Sequence, residues 1–160
     1  NIVAAEHHGV DVLVNNAGVA VGGTFEQVAE EDFEWLFEIN FWGVVYGCKF
    51  FLPHILRAEE GHIVNISSIF GLVGVPQQSS YCASKFAVRG FTESLQRELT
   101  DTNVGITTVH PGGIATNIAA ASRVTGDGQA MARHQRAIKA FRKMMPPEEA
   151  RPRQRFLEHG

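Results

Sequence analysis

The chain has 160 residues, of which 44% are hydrophobic and 19% are charged, and its formal net charge is -3. This balance is typical of one globular domain with a sizeable core, and it gives no basic surface for a nucleic-acid partner. No apolar stretch approaches the roughly 20 residues that cross a bilayer, so we predict no membrane span. The two cysteines are too few for a disulfide framework, which favours the reducing cytoplasm.

The first predicted strand is the apolar run Val10–Val14, which the segment Asn15-Asn16-Ala17-Gly18 ends. A continuous apolar run of this length is typical of a strand buried on both faces of a parallel sheet. The next pattern, from Ala29 to Arg57, has a helical period, and Pro53 is expected to kink or end its regular part.

Two further strands are predicted at His62–Ile66 and Val104–His110, on either side of a helix from Ser79 to Leu99. Ser67-Ser68 follows the second strand and Pro111-Gly112 follows the third. The alternation of strands and helices predicts an open parallel α/β sheet, with ligands at the carboxyl ends of its strands.

The pattern weakens after Ile114. Residues Ala119–Met145 look helical, with Arg123 among the cations expected to be solvated, and we interpret 119–145 as a mobile substrate loop. Residues Arg151–Gly160 are charged and aperiodic and form a tail of uncertain role.

Ser68, Tyr81 and Lys85 are the candidate acid/base residues. Positions four apart lie on one helix face, so Tyr81 and Lys85 are expected to point the same way. An ammonium beside a phenol favours the phenolate, which predicts a lowered pKa for Tyr81, while a serine hydroxyl can hold a carbonyl or alcohol oxygen. Taken alone, Tyr-x-x-x-Lys is also compatible with an ordinary surface pair.

Four further features occur in order along the chain: Asn15-Asn16-Ala17-Gly18, Asn40, Ser68, and the segment Pro111-Gly-Gly-Ile-Ala-Thr116. Together with Tyr81 and Lys85 this set resembles the short-chain dehydrogenase/reductase family from Val10 to about Thr116. The resemblance implies a Rossmann-like open parallel sheet with helices on its faces. It also implies that residues 1–160 form one partial dinucleotide-binding domain, roughly its second half.

The resemblance implies a catalytic tetrad of Asn40, Ser68, Tyr81 and Lys85. Tyr81 would donate or accept the proton, and Ser68 would orient the substrate oxygen. Lys85 would lower the pKa of Tyr81 and bind the nicotinamide ribose, while Asn40 would hold a water in a proton relay. Ser67 competes with Ser68, but the family's spacing to the tyrosine favours Ser68.

The resemblance also implies a cofactor, NAD or NADP, and no metal. The residues implied to contact the cofactor are Asn15, Ala17, Gly18, Tyr81, Lys85, Pro111, Gly112, Ile114 and Thr116. The family's glycine-rich phosphate turn and the residue that distinguishes a 2′-hydroxyl from a 2′-phosphate do not occur in this chain, so NAD and NADP cannot be told apart. We therefore expect a fragment that binds cofactor poorly by itself.

The function implied is an NAD(P)-dependent oxidoreductase that interconverts a ketone or aldehyde with an alcohol. Its small-molecule substrate is expected to be apolar, because apolar side chains follow the serine, namely Ile69, Phe70, Val73 and Val75. A homodimer or homotetramer is expected. Two alternatives remain open, a related NAD(P)-dependent epimerase or lyase and a non-catalytic assembly module.

Overall fold

The computed structural model describes residues 9–112, 118 and 122–124. The strands are β1 (Val12–Asn15), β2 (Val21–Gly22), β3 (Gly61–Ile66), β4 (Val104–Val109) and β5 (Arg123–Val124). The helices are α1 (Glu30–Phe37), α2 (Gly43–Ile55) and α3 (Ser79–Glu98), and a π-helical segment (Glu38–Trp42) joins α1 to α2. In this part of the chain no helix is both long and apolar enough to cross a bilayer.

The predicted parallel sheet is confirmed. Its strand order is β1-β3-β4, with Val12 paired to His62 and Gly61 paired to Val104. The observed strands begin or end within two residues of the predicted ones. All three strands run in the same direction, so their carboxyl ends lie along one edge of the sheet.

The sheet is covered on one face only in the described part of the chain. Ile63 of β3 is fully buried in a cluster with residues of both α2 and α3, so these helices pack on the same face. On the opposite face Val12 is 58% exposed and Val14 is 56% exposed. The prediction that the first strand is buried on both faces is therefore wrong for β1, because no described element covers that face.

The long helical pattern from Ala29 to Arg57 is observed as helical structure from Glu30 to Ile55, interrupted by a change of winding. Pro53 lies inside α2, which ends two residues later. The larger irregularity is the π-helical segment Glu38–Trp42, which contains Asn40. Single turns of π-helix are rare and occur frequently at functional sites.

A chain of polar side chains crosses the core between the sheet and α3. Asn15 donates to the Oδ1 of Asn65 at 2.8 Å, and these two residues are register partners in β1 and β3. Asn65 in turn donates to Thr92 of α3 at 3.0 Å, and Thr92 donates to the Val88 carbonyl at 2.7 Å. Because each of these buried groups has a partner, the network fixes α3 against the sheet without a desolvation penalty.

A second, two-stranded sheet lies beside α1. In it β2 pairs in parallel with β5, with Val21 opposite Arg123. Arg123 stacks 3.6 Å over the ring of Trp35 and forms a 2.7 Å ion pair with Asp32. The prediction that Arg123 lies in a solvated helix is therefore wrong: it lies in a strand and binds α1. Except for 122–124, the expected loop at 119–145 and the tail at 151–160 lie outside the described residues.

Candidate active site

Ser67 and Ser68 follow β3 and face in opposite directions, as an extended backbone requires. The Ser67 hydroxyl donates to the Lys85 carbonyl at 2.9 Å and is buried. Ser68 begins the 3₁₀ turn Ile69–Gly71, and its Oγ accepts a hydrogen bond from the Phe70 amide at 3.2 Å. The Ser68 side chain also faces Tyr81 and acts to lower the pKa of its phenol. The geometry therefore gives Ser67 an anchoring contact and turns Ser68 toward the phenol.

Tyr81 and Lys85 lie one turn apart near the start of α3 and are both buried. The Lys85 ammonium donates to the Ile66 carbonyl at 3.1 Å and lies 5.7 Å from the centroid of the Tyr81 ring. Burial lowers the pKa of Lys85 to about 8, because the charged form loses its hydration. The ammonium is therefore held at the carboxyl end of β3, beside the phenol.

The pKa of Tyr81 is raised, and burial is the largest cause; the hydrogen bond from Ser68 opposes it. The sequence predicted the opposite direction, on the argument that Lys85 would stabilise the phenolate. That prediction is wrong for the chain by itself, since desolvation of the phenolate outweighs the groups that favour it. The phenol is thus protonated at neutral pH.

Asn40 is fully buried, and its amide group is paired on both sides. Its Oδ1 accepts from the Val19 amide at 2.8 Å, and its Nδ2 donates to the Val19 carbonyl at 2.9 Å and to Ser84 at 3.1 Å. Both amide hydrogens are therefore used within the protein. Asn40 thus fixes the loop after β1 against α3. A water held by Asn40 would have to donate to its Oδ1, or accept a hydrogen bond from another group.

The loop after β1 brings Gly18 to the same place. A Cβ on Gly18 would lie 3.4 Å from Asn40 Oδ1 and 3.4 Å from Lys85 Nζ, so this backbone passes directly beside the catalytic candidates. Ala17, next to it, is exposed, whereas the Asn15 side chain is directed to Asn65. Of the three residues predicted here, Gly18 is thus the one placed against the lysine and Asn15 is part of the sheet network.

The turn after β4 adjoins Ser68. The Pro111 carbonyl accepts from the Ile69 amide at 3.0 Å, and Gly112 is exposed. Ile114 and Thr116, predicted to contact the nicotinamide, lie outside the described residues.

Several residues of the site were missed by the sequence reasoning. Ser84 binds Asn40, and its only signal is a small polar residue on the buried face of α3. Phe70 was predicted to lie along the substrate, but its contact with the catalytic candidate was not: it packs edge-on against Tyr81, with ring centroids 6.3 Å apart. His110 contacts the Ser68 carbonyl, which no motif indicates.

The arrangement is suited to proton transfer at an oxygen. A protonated phenol, a serine hydroxyl beside it and a buried ammonium meet at the edge of a parallel sheet where ligands bind. The site also fits a nicotinamide nucleotide: Gly18 leaves the backbone bare beside Lys85, and the ammonium provides a donor for ribose hydroxyls.

The family model for short chain dehydrogenases matches residues 1–126. SadH of Mycobacterium tuberculosis, which carries the name of an oxidoreductase, is 49% identical over 129 residues, covering 79% of this chain and 46% of that protein. A 3-ketodihydrosphingosine reductase of Bacteroides thetaiotaomicron is 43% identical over 114 residues, covering 71% of this chain and 42% of that protein. The chain thus spans about half the length of these relatives.

Solved structures of short-chain dehydrogenases also superimpose on this chain. A short-chain dehydrogenase/reductase from Burkholderia phymatum, in complex with NAD, superimposes with a TM-score of 0.81 at 31% identity, over 88% of this chain and 54% of that one. ElxO with NADP bound superimposes with a TM-score of 0.68 at 36% identity, over 71% of this chain and 46% of that one. The chain belongs to the short-chain dehydrogenase/reductase family.

Proposed function

We propose that the full-length protein is an NAD(P)-dependent oxidoreductase that interconverts a carbonyl compound and an alcohol, with Tyr81 as its acid/base. The chain is proposed to be one partial dinucleotide-binding domain of that protein. The observation that carries the proposal is the buried Lys85 ammonium 5.7 Å from the ring of the buried Tyr81, beside Ser68 at the carboxyl end of β3. NAD-bound and NADP-bound relatives support either cofactor.

In the reductive direction Tyr81 donates its proton to the substrate oxygen while the carbonyl carbon gains a hydride. Ser68 holds that oxygen by a hydrogen bond, and Lys85 stabilises the phenolate that forms. The nicotinamide, when bound, supplies the hydride. Oxidation is the reverse: the phenolate of Tyr81 accepts the hydroxyl proton. Because burial raises the pKa of Tyr81, the protein is set for proton donation at neutral pH.

The test is a Tyr81→Phe substitution in the full-length protein, assayed by absorbance of the reduced nicotinamide. We expect turnover to fall by about 100-fold or more, the usual contribution of a positioned general acid, with cofactor binding still measurable. Tyr46→Phe is the matched control, because Tyr46 is the only other tyrosine and is exposed on α2. Turnover in Tyr81→Phe within a few-fold of the unmodified protein would refute the proposal.

We propose an apolar substrate body, because the side chains after Ser68 are apolar and open to solvent. Ile69, Leu72 and Val73 are all exposed beside the 3₁₀ turn that holds Ser68. A series of ketones of increasing alkyl length should show a KM that falls with each added methylene, by up to about fourfold for 0.8 kcal/mol of burial. A KM independent of length would refute an apolar pocket.

We propose that the protein forms homodimers or homotetramers through the exposed face of α2. Trp42, Tyr46 and Phe50 lie four residues apart, so their rings are neighbours. The ring centroids of Trp42 and Tyr46 are 5.7 Å apart, and those of Tyr46 and Phe50 are 6.4 Å apart. Phe50→Glu should yield monomers by light scattering. Phe25→Glu, a change at an isolated exposed phenylalanine, should not. An unchanged mass for Phe50→Glu would refute this interface.

The alternative enzyme is an epimerase or lyase, which would show no stoichiometric change in nicotinamide absorbance with added cofactor. The alternative without catalysis is an assembly module, which would form oligomers yet fail to bind NADH and NADPH in calorimetric titration.

The cytoplasm remains the proposed compartment, since Cys48 and Cys82 are both buried free thiols. Cell fractionation tests it.

A further inference from the structure

The carboxyl ends of β3 and β4 continue to pair beyond the strands themselves. The Ser67 amide donates to the Val109 carbonyl at 2.8 Å, and the Ile69 amide donates to the Pro111 carbonyl at 3.0 Å. In a parallel ladder the residue at position 111 would also donate to the Ser67 carbonyl, but proline has no amide hydrogen. The backbone of the β4 side therefore provides no donor to the peptide groups of Ser67 and Ser68.

His110 supplies a donor at this point. Its Nδ1 lies 3.0 Å from the Ser68 carbonyl oxygen. Because a carbonyl oxygen only accepts, Nδ1 must carry the hydrogen, which assigns the tautomer. The same oxygen accepts from the Gly71 amide at 2.8 Å, so the Ser68 peptide is held from the β4 side and from its own turn.

The Ser68 carbonyl controls where the Ser68 hydroxyl points. Ser68 has an extended backbone (φ -166°, ψ 163°) and caps the 3₁₀ turn, with Oγ bonded to the Phe70 amide. A rotation of the carbonyl changes ψ and moves that turn together with the Phe70 amide. The Oγ would then lose the orientation in which it faces Tyr81.

We propose that His110 is a positioning residue of the active site, acting through the Ser68 carbonyl. It rests on the proposed function, because it concerns the serine that orients the substrate oxygen beside Tyr81. His110 also immediately precedes Pro111, so it ties the serine to the turn proposed to support the nicotinamide. Its effect is on the chemical step and leaves cofactor binding unchanged.

The experiment compares His110→Leu, which removes the donor, with His110→Asn, whose Nδ2 occupies the position of Nδ1. In the full-length protein we expect His110→Leu to lower kcat by about tenfold, the scale of a small misplacement of a catalytic group. The KM for NADH and the thermal midpoint should stay the same. His110→Asn should restore most of the kcat.

If His110→Leu fails to fold, His110→Asp replaces it, since Asp matches Asn in size and its carboxylate has no donor. Equal kcat in the donor and non-donor variants, whether both are reduced or both normal, would overturn the inference. Tyr81→Phe is measured in the same assay. If it is inactive while His110→Leu is normal, only this inference fails; if Tyr81→Phe remains active, the proposed function fails and this inference falls with it.

Discussion

The described residues form two apolar clusters that are held together in different ways. The sheet cluster contains eight buried residues from α2, α3 and its C-terminal cap, β3 and β4, including Ile63. The site cluster contains three, namely Val21, Leu36 and Tyr81, with partly buried neighbours such as Phe70. The sheet cluster is fixed by continuous backbone ladders, whereas the site cluster depends on side chains such as Asn40 and Arg123.

This difference indicates that stability and chemistry are carried by separate regions. Regions with few buried apolar contacts open more easily than strand-ladder cores. The region around Tyr81, the proposed proton donor, is therefore expected to open more easily than the sheet cluster. The following four predictions test this division, from the largest expected effect to the smallest.

Truncation of one fully buried residue in each cluster should separate the two regions. We expect Ile63→Ala to lower the free energy of unfolding of the full-length protein by about 3–5 kcal/mol. Leu36→Ala should cost about 2–3 kcal/mol, because the smaller cluster can relax around the cavity. Both residues are fully buried, which makes them a matched pair. A larger loss for Leu36→Ala in urea titrations would contradict the division.

Lys85 should destabilise the protein near neutral pH in the absence of cofactor. The pKa of Lys85 is about 8 in the folded protein against an ordinary value of 10.5, so between these values the unfolded chain holds the extra proton and stability rises with pH. The full penalty, about 3 kcal/mol, applies below pH 8. Above about pH 10 ionisation of Tyr81 in the unfolded chain has the opposite effect.

Lys85→Met should therefore raise the free energy of unfolding at pH 7 by about 1–3 kcal/mol and abolish the rise above pH 8. The measurement is the urea midpoint from pH 7 to about pH 9.5, within the window that linkage defines. A pH dependence equal in both proteins would show that Lys85 is not its source.

Gly71 lies where the serine turn meets α3, and an added methyl group has no room there. A Cβ at this position would lie 2.3 Å from Ser67 Oγ and 2.8 Å from the Lys85 carbonyl oxygen. We expect Gly71→Ala to cost about 1–3 kcal/mol and to lower kcat, because the shift displaces Ser68. Gly74→Ala is the control, since no atom lies within 4 Å of its Cβ. Equal stability of the two variants would contradict this packing.

Arg123→Ala should have the smallest effect on global stability, about 1 kcal/mol or less, because its side chain is 49% exposed. Hydrogen exchange at the Arg123 amide, which donates to the Ala20 carbonyl at 3.0 Å, should become faster. Arg89→Ala removes the exposed pair with Glu93 on α3 and serves as the control. Unchanged exchange at Arg123 would show that its stacking on Trp35 does not hold β5.

The parallel sheet and the common face of Tyr81 and Lys85 were predictable from local patterns, because apolar runs, turn residues and i,i+4 spacing all act over a few residues. The side-by-side strands and the choice of Ser68 rested on the resemblance to the family. The π-helical segment at Asn40 was not, since no simple period distinguishes it from the helices around it. Nor were β2 and β5, because two-residue strands show no alternation. The raised pKa of Tyr81 depends on burial by distant residues, which spacing cannot give.

Asn40 shows what a side chain can do in place of a strand. Its amide exchanges both a donor and an acceptor with Val19, at 2.9 and 2.8 Å, which is the reciprocal pair that two residues share in an antiparallel ladder. The Asn40 side chain, which extends from a helical segment, thus makes the two hydrogen bonds that a backbone peptide group of a strand would make. Aspartate has the shape but no donor, and leucine has neither donor nor acceptor. A saturation library at this position should therefore retain asparagine alone.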